Sequence, residues 1–403
     1  MNDAAPLREK LFTGRFLQLC LANLLVFLGF HMQVSTFSFF VLDLGGDEAI
    51  AGLAVGIFSI SAVITRPFMG WILDNKSRRL PMSIGLIFLL SMSLLYTFTT
   101  KIVVVIMLRL LQGVAWSAAN TSVYTAASDI APRSRYSEGL GYFGLMTAIS
   151  VAFAPTVGLG IMNKYGFDAM FVTSAALTTA CLFLSLFTFS RMPAYVSNKP
   201  KQDLLHSLKT LINRDALPSS VITFFFLLPM GAVMSFVAVY AQTELSITNG
   251  GIYFTSMAIT TAAARILTGK VVDVKGEGPI LYASFVFMLS SLLLLVFFQS
   301  LISLVISALL IGAAFGMMAP TTQAMALHIS TPERRGSANA TYLCANDIGF
   351  GLGGMLGGIL VKHYGFDNMF LMVSGFVVIS FVCYFFWAKN TSASLSYNPP
   401  NKP

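Results

Sequence analysis

Long apolar runs alternate with short polar and charged breaks along the whole chain. A transmembrane helix needs about 20 consecutive apolar residues, and backbone groups in hydrocarbon must find their hydrogen bonds within the segment. The runs, divided at Gly, Pro and charge clusters, therefore predict twelve membrane-spanning helices. In chain order we number them spans 1–12: residues 16–41, 50–73, 80–99, 102–126, 137–162, 167–190, 217–242, 250–272, 279–297, 300–327, 337–361 and 366–388.

The two halves of the chain repeat the same landmarks at one offset. The word that begins at Tyr165 (YGFDAMF) nearly recurs at Tyr364 (YGFDNMF), about half a chain length later. Three further landmarks share the offset, since Arg66, Gly70 and Asp74 recur as Arg265, Gly269 and Asp273. Several landmarks at one shift indicate a duplicated unit. We predict an all-α membrane protein of two pseudo-symmetric six-helix bundles, residues 1–190 and 217–403, joined by a loop at 191–216.

Composition and charge support a membrane protein and set its orientation. Hydrophobic residues make up 56% and charged residues 10% of the chain, whereas soluble domains carry about 25% charged residues. Most Lys and Arg fall in the two tails and in alternate loops, and the opposite side holds only Lys101, Lys164 and Lys362. By the positive-inside rule, both termini are predicted to be cytoplasmic. The basic balance therefore reflects membrane topology and not a nucleic-acid partner, and the predicted location is the cell membrane.

The loop between spans 2 and 3 carries a recognisable motif. It reads GWILDNKSRR from Gly70. This resembles the Gly-x-Leu-x-Asp-x-x-Gly-Arg-Arg/Lys signature of the major facilitator superfamily, with Ser77 in place of the second Gly and Ile72 in place of the Leu. With the twelve spans and the long basic middle loop, the chain resembles this superfamily over nearly its whole length. The resemblance implies an inner-side latch, or gate, formed by Gly70, Asp74, Arg78, Asp129, Gly269 and Asp273. The alternative is that these residues only determine topology.

Span 4 carries a second motif, Arg109-Leu-Leu-Gln112-Gly, which resembles the Arg-x-x-Gln-Gly element near the coupling path of proton-coupled members. An arginine inside a span costs about 2.5–3.5 kcal/mol on insertion scales, so its default interpretation is functional. A polar and aromatic stripe continues from it at steps of three or four residues, which predicts one helix face toward a central cavity. Arg109 is one predicted coupling residue, and the predicted substrate contacts on this helix are Gln112, Trp116, Asn120 and Tyr124. Alternatively, Arg109 snorkels to water.

Span 5 contains small residues in the pattern of the antiporter signature Gly-x8-Gly-x3-Gly-Pro-x2-Gly-Gly. Gly141, Pro155 and Gly158 match it, whereas Ser150 and Ala154 replace glycines. Small faces let helices approach closely and proline bends them. In the resembling family this element is typical of export by antiport. Helix packing without any effect on transport direction is the alternative.

Two further titratable groups lie midway along spans. Asp347 in span 11 is a carboxylate at membrane depth, beside the predicted substrate contact Asn346, and such groups often carry protons. His31 lies midway along span 1, and an unperturbed imidazole, with a pKa of about 6.5, suits a proton switch. Both are predicted to take part in proton coupling. The alternatives are a structural pairing for Asp347 and hydrogen-bonded packing for His31.

The pattern predicts a secondary transporter and not an enzyme. The chain has no nucleotide-binding Gly-x4-Gly-Lys-Ser/Thr loop and no His-Glu-x-x-His spacing, so an ion gradient must drive transport. We expect a monomeric, proton-coupled efflux antiporter of a small amphipathic substrate in the bilayer, with neither cofactor nor metal. The alternative is proton-linked uptake of a small metabolite. The four cysteines, all within spans, suggest packing and not disulfides: Cys20, Cys181, Cys344 and Cys383.

Overall fold

A computed structural model describes residues 11–75, 79–130, 136–190, 213–247, 250–329 and 335–388. All regular secondary structure in these residues is helical. Nine helical segments of the described chain are long and apolar enough to cross a membrane. Most of the predicted middle loop, residues 191–212, lies outside the described residues.

Five helices occupy the first part of the chain. They are α1 (Gly14–Asp43), α2 (Glu48–Asn75), α3 (Arg79–Thr97), α4 (Ile102–Ile130) and α5 (Tyr136–Ser190). The start of α2 is fixed by Asp47, whose carboxylate accepts a hydrogen bond of 2.9 Å from the Ile50 backbone N–H. An acidic side chain at this position satisfies a donor that has no partner within the helix.

Five more helices follow, and a π-helical turn at Tyr384–Ala388 closes the described chain. They are α6 (Leu217–Thr243), α7 (Gly251–Lys275), α8 (Gly278–Phe297), α9 (Leu301–Ile329) and α10 (Arg335–Cys383). Proline occupies the first turn of α6 and of α8. Its missing N–H costs nothing there, because first-turn donors have no partner within the helix.

The repeated word marks a break in each of the two longest helices. Gly166 in α5 has φ 86° and ψ 177°, and Gly365 in α10 has φ 79° and ψ 173°. Glycine adopts this left-handed φ without the steric penalty of a Cβ atom. A straight helix of the 55 residues of α5 would be about 80 Å long, far beyond the roughly 30 Å of bilayer hydrocarbon. The breaks let each long segment change direction where the sequence predicts loops.

The described residues pack into two compact units. The first unit draws on residues 1–36 and 64–204, and the second on residues 37–63 and 205–403. Within the second unit, glycines of α10 permit close contact with α2, since a Cβ atom on Gly52 would lie 2.6 Å from the Gly354 carbonyl oxygen. The domain boundaries drawn from the sequence stay a prediction.

Candidate functional site

The polar stripe of α4 is buried along most of its length in the first unit. Arg109, Gln112 and Trp116 are 2%, 1% and 6% exposed, whereas Asn120 is half-buried and Tyr124 is exposed. A helix face that contacted lipid along its length would not keep an arginine and an amide. The stripe therefore packs inside the unit at its Arg109 end.

The Gln112 side chain joins three polar groups at the centre of this unit. Its Oε1 accepts hydrogen bonds from Arg109 Nη1 at 2.9 Å and from the Tyr96 hydroxyl at 3.0 Å. Its Nε2 donates to Gln33 Oε1 at 2.8 Å. Both ends of the Gln112 amide are thus engaged by protein groups.

Gln33 of α1 continues the chain of hydrogen bonds. Its Nε2 donates to Ser93 Oγ at 2.7 Å and to Ser174 Oγ at 2.6 Å. Each serine in turn donates to a backbone carbonyl, Ser93 to Leu89 and Ser174 to Gly29. Carbonyl oxygens only accept, so the direction of every bond back to Arg109 is determined. One network links α1, α3, α4 and α5.

An aromatic cluster lies next to this network, between α1 and α4. The rings of Phe30 and Trp116 stack at 4.0 Å between centroids, and Phe27 meets Trp116 edge-on at 4.9 Å. The His31 imidazole stacks on Phe27 at 5.8 Å and meets Phe30 edge-on at 5.3 Å. The structure thus brings His31 and Trp116 into one cluster, which we call the ring cluster: Phe27, Phe30, His31 and Trp116.

The small residues of α5 pack against α1. A Cβ atom on Gly158 would lie 2.8 Å from the Met32 carbonyl oxygen, and Ser150 donates a 2.8 Å hydrogen bond to the Leu24 carbonyl. Pro155 is buried in the same helix. Gly141 lies in the first turns of α5, but its surroundings are outside the described part.

Asn23 of α1 forms a tether to α5 that no sequence pattern predicted. Its Nδ2 donates to the Phe143 carbonyl at 3.2 Å and to Thr147 Oγ1 at 2.8 Å, both on α5. Asn23 is 1% exposed. A polar residue at this depth of span 1 was the available signal, although one asparagine among apolar neighbours does not reveal its partner.

Asp347 and Asn346 lie on α10 in the second unit, where both are half-buried. One turn away, the buried Tyr342 hydroxyl donates to the Ala319 carbonyl of α9 at 2.9 Å, and Asn346 is among its polar neighbours. The Arg265 guanidinium lies 5.9 Å from the centre of the Phe315 ring, within range of a cation–π interaction. The second unit thus has a polar centre of its own.

The predicted inner latch falls largely beyond what the structure describes. Arg78 lies outside the described residues. The other five belong to helices, but the surroundings of their side chains are also outside the described part: Gly70, Asp74, Asp129, Gly269 and Asp273. The latch stays a prediction.

The second unit contains an ion pair that the sequence did not predict. Lys362 Nζ lies 2.7 Å from Asp47 Oδ2. The hydrogen bond from Lys362, with a further one from the Ile50 N–H, lowers the pKa of the Asp47 carboxyl below its ordinary value. The two residues lie far apart in sequence, so no local pattern could pair them.

Within the described residues, no three His, Cys, Asp or Glu side chains are grouped as a metal site would require. The four cysteines are free thiols. In the first unit, the network and the ring cluster offer amides, hydroxyls, a guanidinium group and an imidazole, which can bind small molecules and relay hydrogen bonds.

Comparison with known proteins places this arrangement in a family. The model of the Major Facilitator Superfamily matches residues 19–245 and 219–402. The staphylopine export protein of Staphylococcus aureus (strain Mu50 / ATCC 700699) is 26% identical over 353 residues, which cover 85% of this chain and 88% of that protein. The multidrug resistance protein MdtG of Escherichia coli (strain K12 / DH10B) is 24% identical over 351 residues, or 85% and 86% of the two chains.

Solved structures agree on the fold. A mutant of the nucleoside transporter NupG superposes with a TM-score of 0.75 at 16% identity, covering 93% of this chain and 100% of that one. A POT family transporter in complex with 5-aminolevulinic acid gives a TM-score of 0.75 at 13% identity, covering 93% and 96%. At these identities the likeness concerns the fold alone.

Proposed function

Because the chain belongs to the major facilitator superfamily, we propose that it exports a small amphipathic compound in exchange for protons. It is a multi-pass membrane transporter and not an enzyme. Our proposal includes twelve membrane crossings, with the broken helices α5 and α10 each crossing twice, and two cytoplasmic termini.

The observation that carries the proposal is the buried hydrogen-bond chain that begins at Arg109. A guanidinium inside a membrane helix is costly and is retained by default for function. Here it is 2% exposed and held by Gln112. A buried positive charge in a polarised network responds strongly to a proton that arrives or leaves nearby, because the local dielectric is low. We therefore assign Arg109 to proton coupling.

Coupling requires that protons bind one conformation better than the other. A ligand shifts an equilibrium only by its difference in affinity for the two states. Asp347 and His31 are the proposed proton carriers. The substrate path includes Trp116, Asn120, Tyr124 and Asn346, with Gln112 positioned by its hydrogen bonds. The inner gate is formed by Gly70, Asp74, Arg78, Asp129, Gly269 and Asp273.

Export is favoured over uptake by two observations. One relative is named for export, the staphylopine export protein, and another is named for multidrug resistance, the protein MdtG. The small residues of α5, including Gly158, pack tightly against α1, as expected for an antiporter-like element. The direction of transport depends on how substrate movement is coupled to proton movement, and the fold alone does not determine it.

A cell-based accumulation assay tests the proposed direction. Cells that lack their main efflux pumps are loaded with a fluorescent amphipathic dye, with and without this protein. Export predicts lower steady-state dye with the protein present, and a protonophore removes the difference. Higher dye content would support uptake and contradict the proposal.

Two variants serve as controls in the same assay. The Arg109→Ala variant should accumulate dye like cells with the empty vector. The new methyl group of Gly160→Ala meets no atom within 4 Å, so this variant should export dye like the parent.

A further inference from the structure

Two buried polar atoms on α1 have no hydrogen-bond partner in the described structure: Asn23 Oδ1 and His31 Nδ1. In native proteins the large majority of buried side-chain polar atoms are paired, so such atoms require an explanation. The amide orientation of Asn23 is determined chemically. Its other terminal atom contacts the Phe143 carbonyl, which only accepts, so that atom must be the NH₂ nitrogen.

The two atoms lie on α1 one turn before and one turn after Phe27 of the ring cluster. Asn23, Phe27 and His31 are spaced by four residues, which places them on one face of α1. Eight residues of helix separate Asn23 from His31 by about 12 Å along the axis. Phe27 lies between them and contacts Trp116 of α4. The face thus presents a polar atom, aromatic rings and a second polar atom in sequence.

We propose that this face of α1, with Trp116, binds the ring of an amphipathic substrate and hydrogen-bonds both of its ends. The proposal deepens the proposed transport function and rests on it. Asn23 Oδ1 can only accept, so the substrate end beside it carries an N–H or O–H donor, such as an amine. The imidazole nitrogen of His31 pairs with a carbonyl or hydroxyl at the other end. The substrate class is an aromatic compound with an N–H or O–H donor at one end and a carbonyl or hydroxyl at the other, spaced to match the axial separation of about 12 Å between Asn23 and His31.

Both polar atoms are shielded in the conformation described, each with almost no accessible surface. A substrate reaches them only when the faces around α1 separate. Binding then supplies the two hydrogen bonds that the closed arrangement lacks. A conformation that leaves buried groups unpaired is disfavoured relative to one that pairs them. The bound substrate therefore stabilises the conformation in which the faces around α1 are separated.

Binding to the purified protein in lipid nanodiscs tests the proposal. The variant with Trp71→Phe and Trp387→Phe retains Trp116 as its one tryptophan, because the chain has three. Three matched probes are titrated while Trp116 fluorescence is recorded. Para-(aminobutyl)benzamide has a ring and both ends, para-butylbenzamide lacks the amine, and the cyclohexane analogue of the first lacks the aromatic ring.

The expected order is tightest binding for the aminobutyl benzamide and weaker binding for the other two. Asn23→Ala should weaken the aminobutyl benzamide about tenfold, the loss of one hydrogen bond worth about 1.4 kcal/mol, and leave para-butylbenzamide unchanged. His31→Phe keeps a ring but removes the nitrogen, so it should weaken both benzamides equally. The matched control is Thr147→Val, which removes a tether of the Asn23 amide but keeps Oδ1, and it should preserve the preference for the amine.

Three results would overturn the assignment. They are equal weakening of all probes by Asn23→Ala, equal affinity for the aromatic and cyclohexane probes, or no binding of any probe at about 1 mM. Equal weakening of all three probes by Asn23→Ala, together with a lower unfolding temperature, would show that Asn23 is a packing residue. Failure of this site and failure of the transport proposal give different results. If the protein exports dye but binds all three probes equally well, this site alone is refuted. If it binds the aminobutyl benzamide most tightly but shows no proton-driven export, the proton coupling is refuted.

Discussion

At Gln33 one amide side chain holds groups from four helices together. It accepts from Gln112 of α4 and donates to Ser93 of α3 and Ser174 of α5. Buried networks of this kind are costly when partly satisfied and rigid when fully satisfied. Gln33 therefore fixes the orientation of Gln112, and through it that of the Arg109 guanidinium.

Replacing Gln33 by methionine, which has similar length and no amide, should destabilise the first unit. The change leaves Gln112 Nε2 without its acceptor, and a buried group left unpaired costs about 1–3 kcal/mol. We expect a lower thermal unfolding midpoint, measured by tryptophan fluorescence in detergent, together with reduced export. Ser91→Ala is the control, because the Ser91 hydroxyl bonds only the Ile87 carbonyl of its own helix. An unchanged midpoint in Gln33→Met would refute the positioning role.

Periodicity predicted the residues on one helix but not their partners on others. The spacing of Arg109, Gln112 and Trp116 indicated a single helix face toward a central cavity. All three side chains are buried, and the cavity stays a prediction. Gln33, Tyr96 and Asn23 were not predicted as site residues. Their role comes from contacts between α1, α3, α4 and α5, and such contacts leave no repeat in the sequence of any one helix.

Among the helices, the contact of α5 with α1 depends on the absence of one side chain. A Cβ atom on Gly158 would approach the Met32 backbone. Backbone cannot move away as a flexible side chain can, so a single methyl group must separate the helices or strain them.

Gly158→Ala should therefore lower the unfolding midpoint and the export rate. The neighbouring Gly160→Ala change meets no atom within 4 Å, and alanine is favoured over glycine in helices by about 1 kcal/mol. It should leave the midpoint unchanged or raise it. Thermal unfolding of both variants in one detergent measures the difference, and equal midpoints would contradict close packing at Gly158.

The Asp47–Lys362 pair should produce a small, pH-dependent stabilisation. The pKa of Asp47 is lowered in the folded protein, so the stabilisation is present above the ordinary Asp value of about 3.9 and is lost as pH falls through the folded-state pKa. The side chains of Lys362 and Asp47 are 43% and 34% exposed, so the effect should be at most about 1 kcal/mol and weaker in high salt.

The measurement compares unfolding midpoints of the parent and Asp47→Asn between neutral pH and about pH 3. Asparagine keeps an oxygen that can cap α2, so the comparison isolates the charge. The parent should be more stable at neutral pH and lose its advantage in acid. A constant difference across the range would show that the charge pair contributes nothing.

Apolar run length predicted the helices well because hydrocarbon thickness imposes it. Span 1 was predicted at 16–41 and the helix covers Gly14–Asp43. The ends are less predictable, since helices continue into the interface. The sequence separated spans 5 and 6 at 162 and 167, whereas the structure has one helical segment with a break at Gly166. Whether the chain is described as two helices or as one broken helix therefore depends on the backbone conformation of Gly166.

Over the whole molecule, the repeated landmarks predict a duplicated architecture, and we place the transport chemistry at the positions where the two copies differ. The family match across the chain confirms the superfamily predicted from the loop after span 2. Arg109 has no charged counterpart at the same offset, and Asp347 corresponds to Ala148. Composition and repeats predict a fold class because they are summed over many residues. Substrate and direction depend on a few side chains whose positions are set by tertiary packing.

Proton release from inverted membrane vesicles tests proton-coupled export most directly. Vesicles are acidified inside by respiration, and a pH-sensitive dye reports proton efflux when the amphipathic compound is added outside. We predict compound-induced proton release by the parent and by Gly160→Ala, and its loss in Arg109→Ala and Asp347→Asn, each present at parental amounts in the membrane. Proton release by both charge variants at the parental rate, or none by the parent with a compound that it exports, would contradict the account.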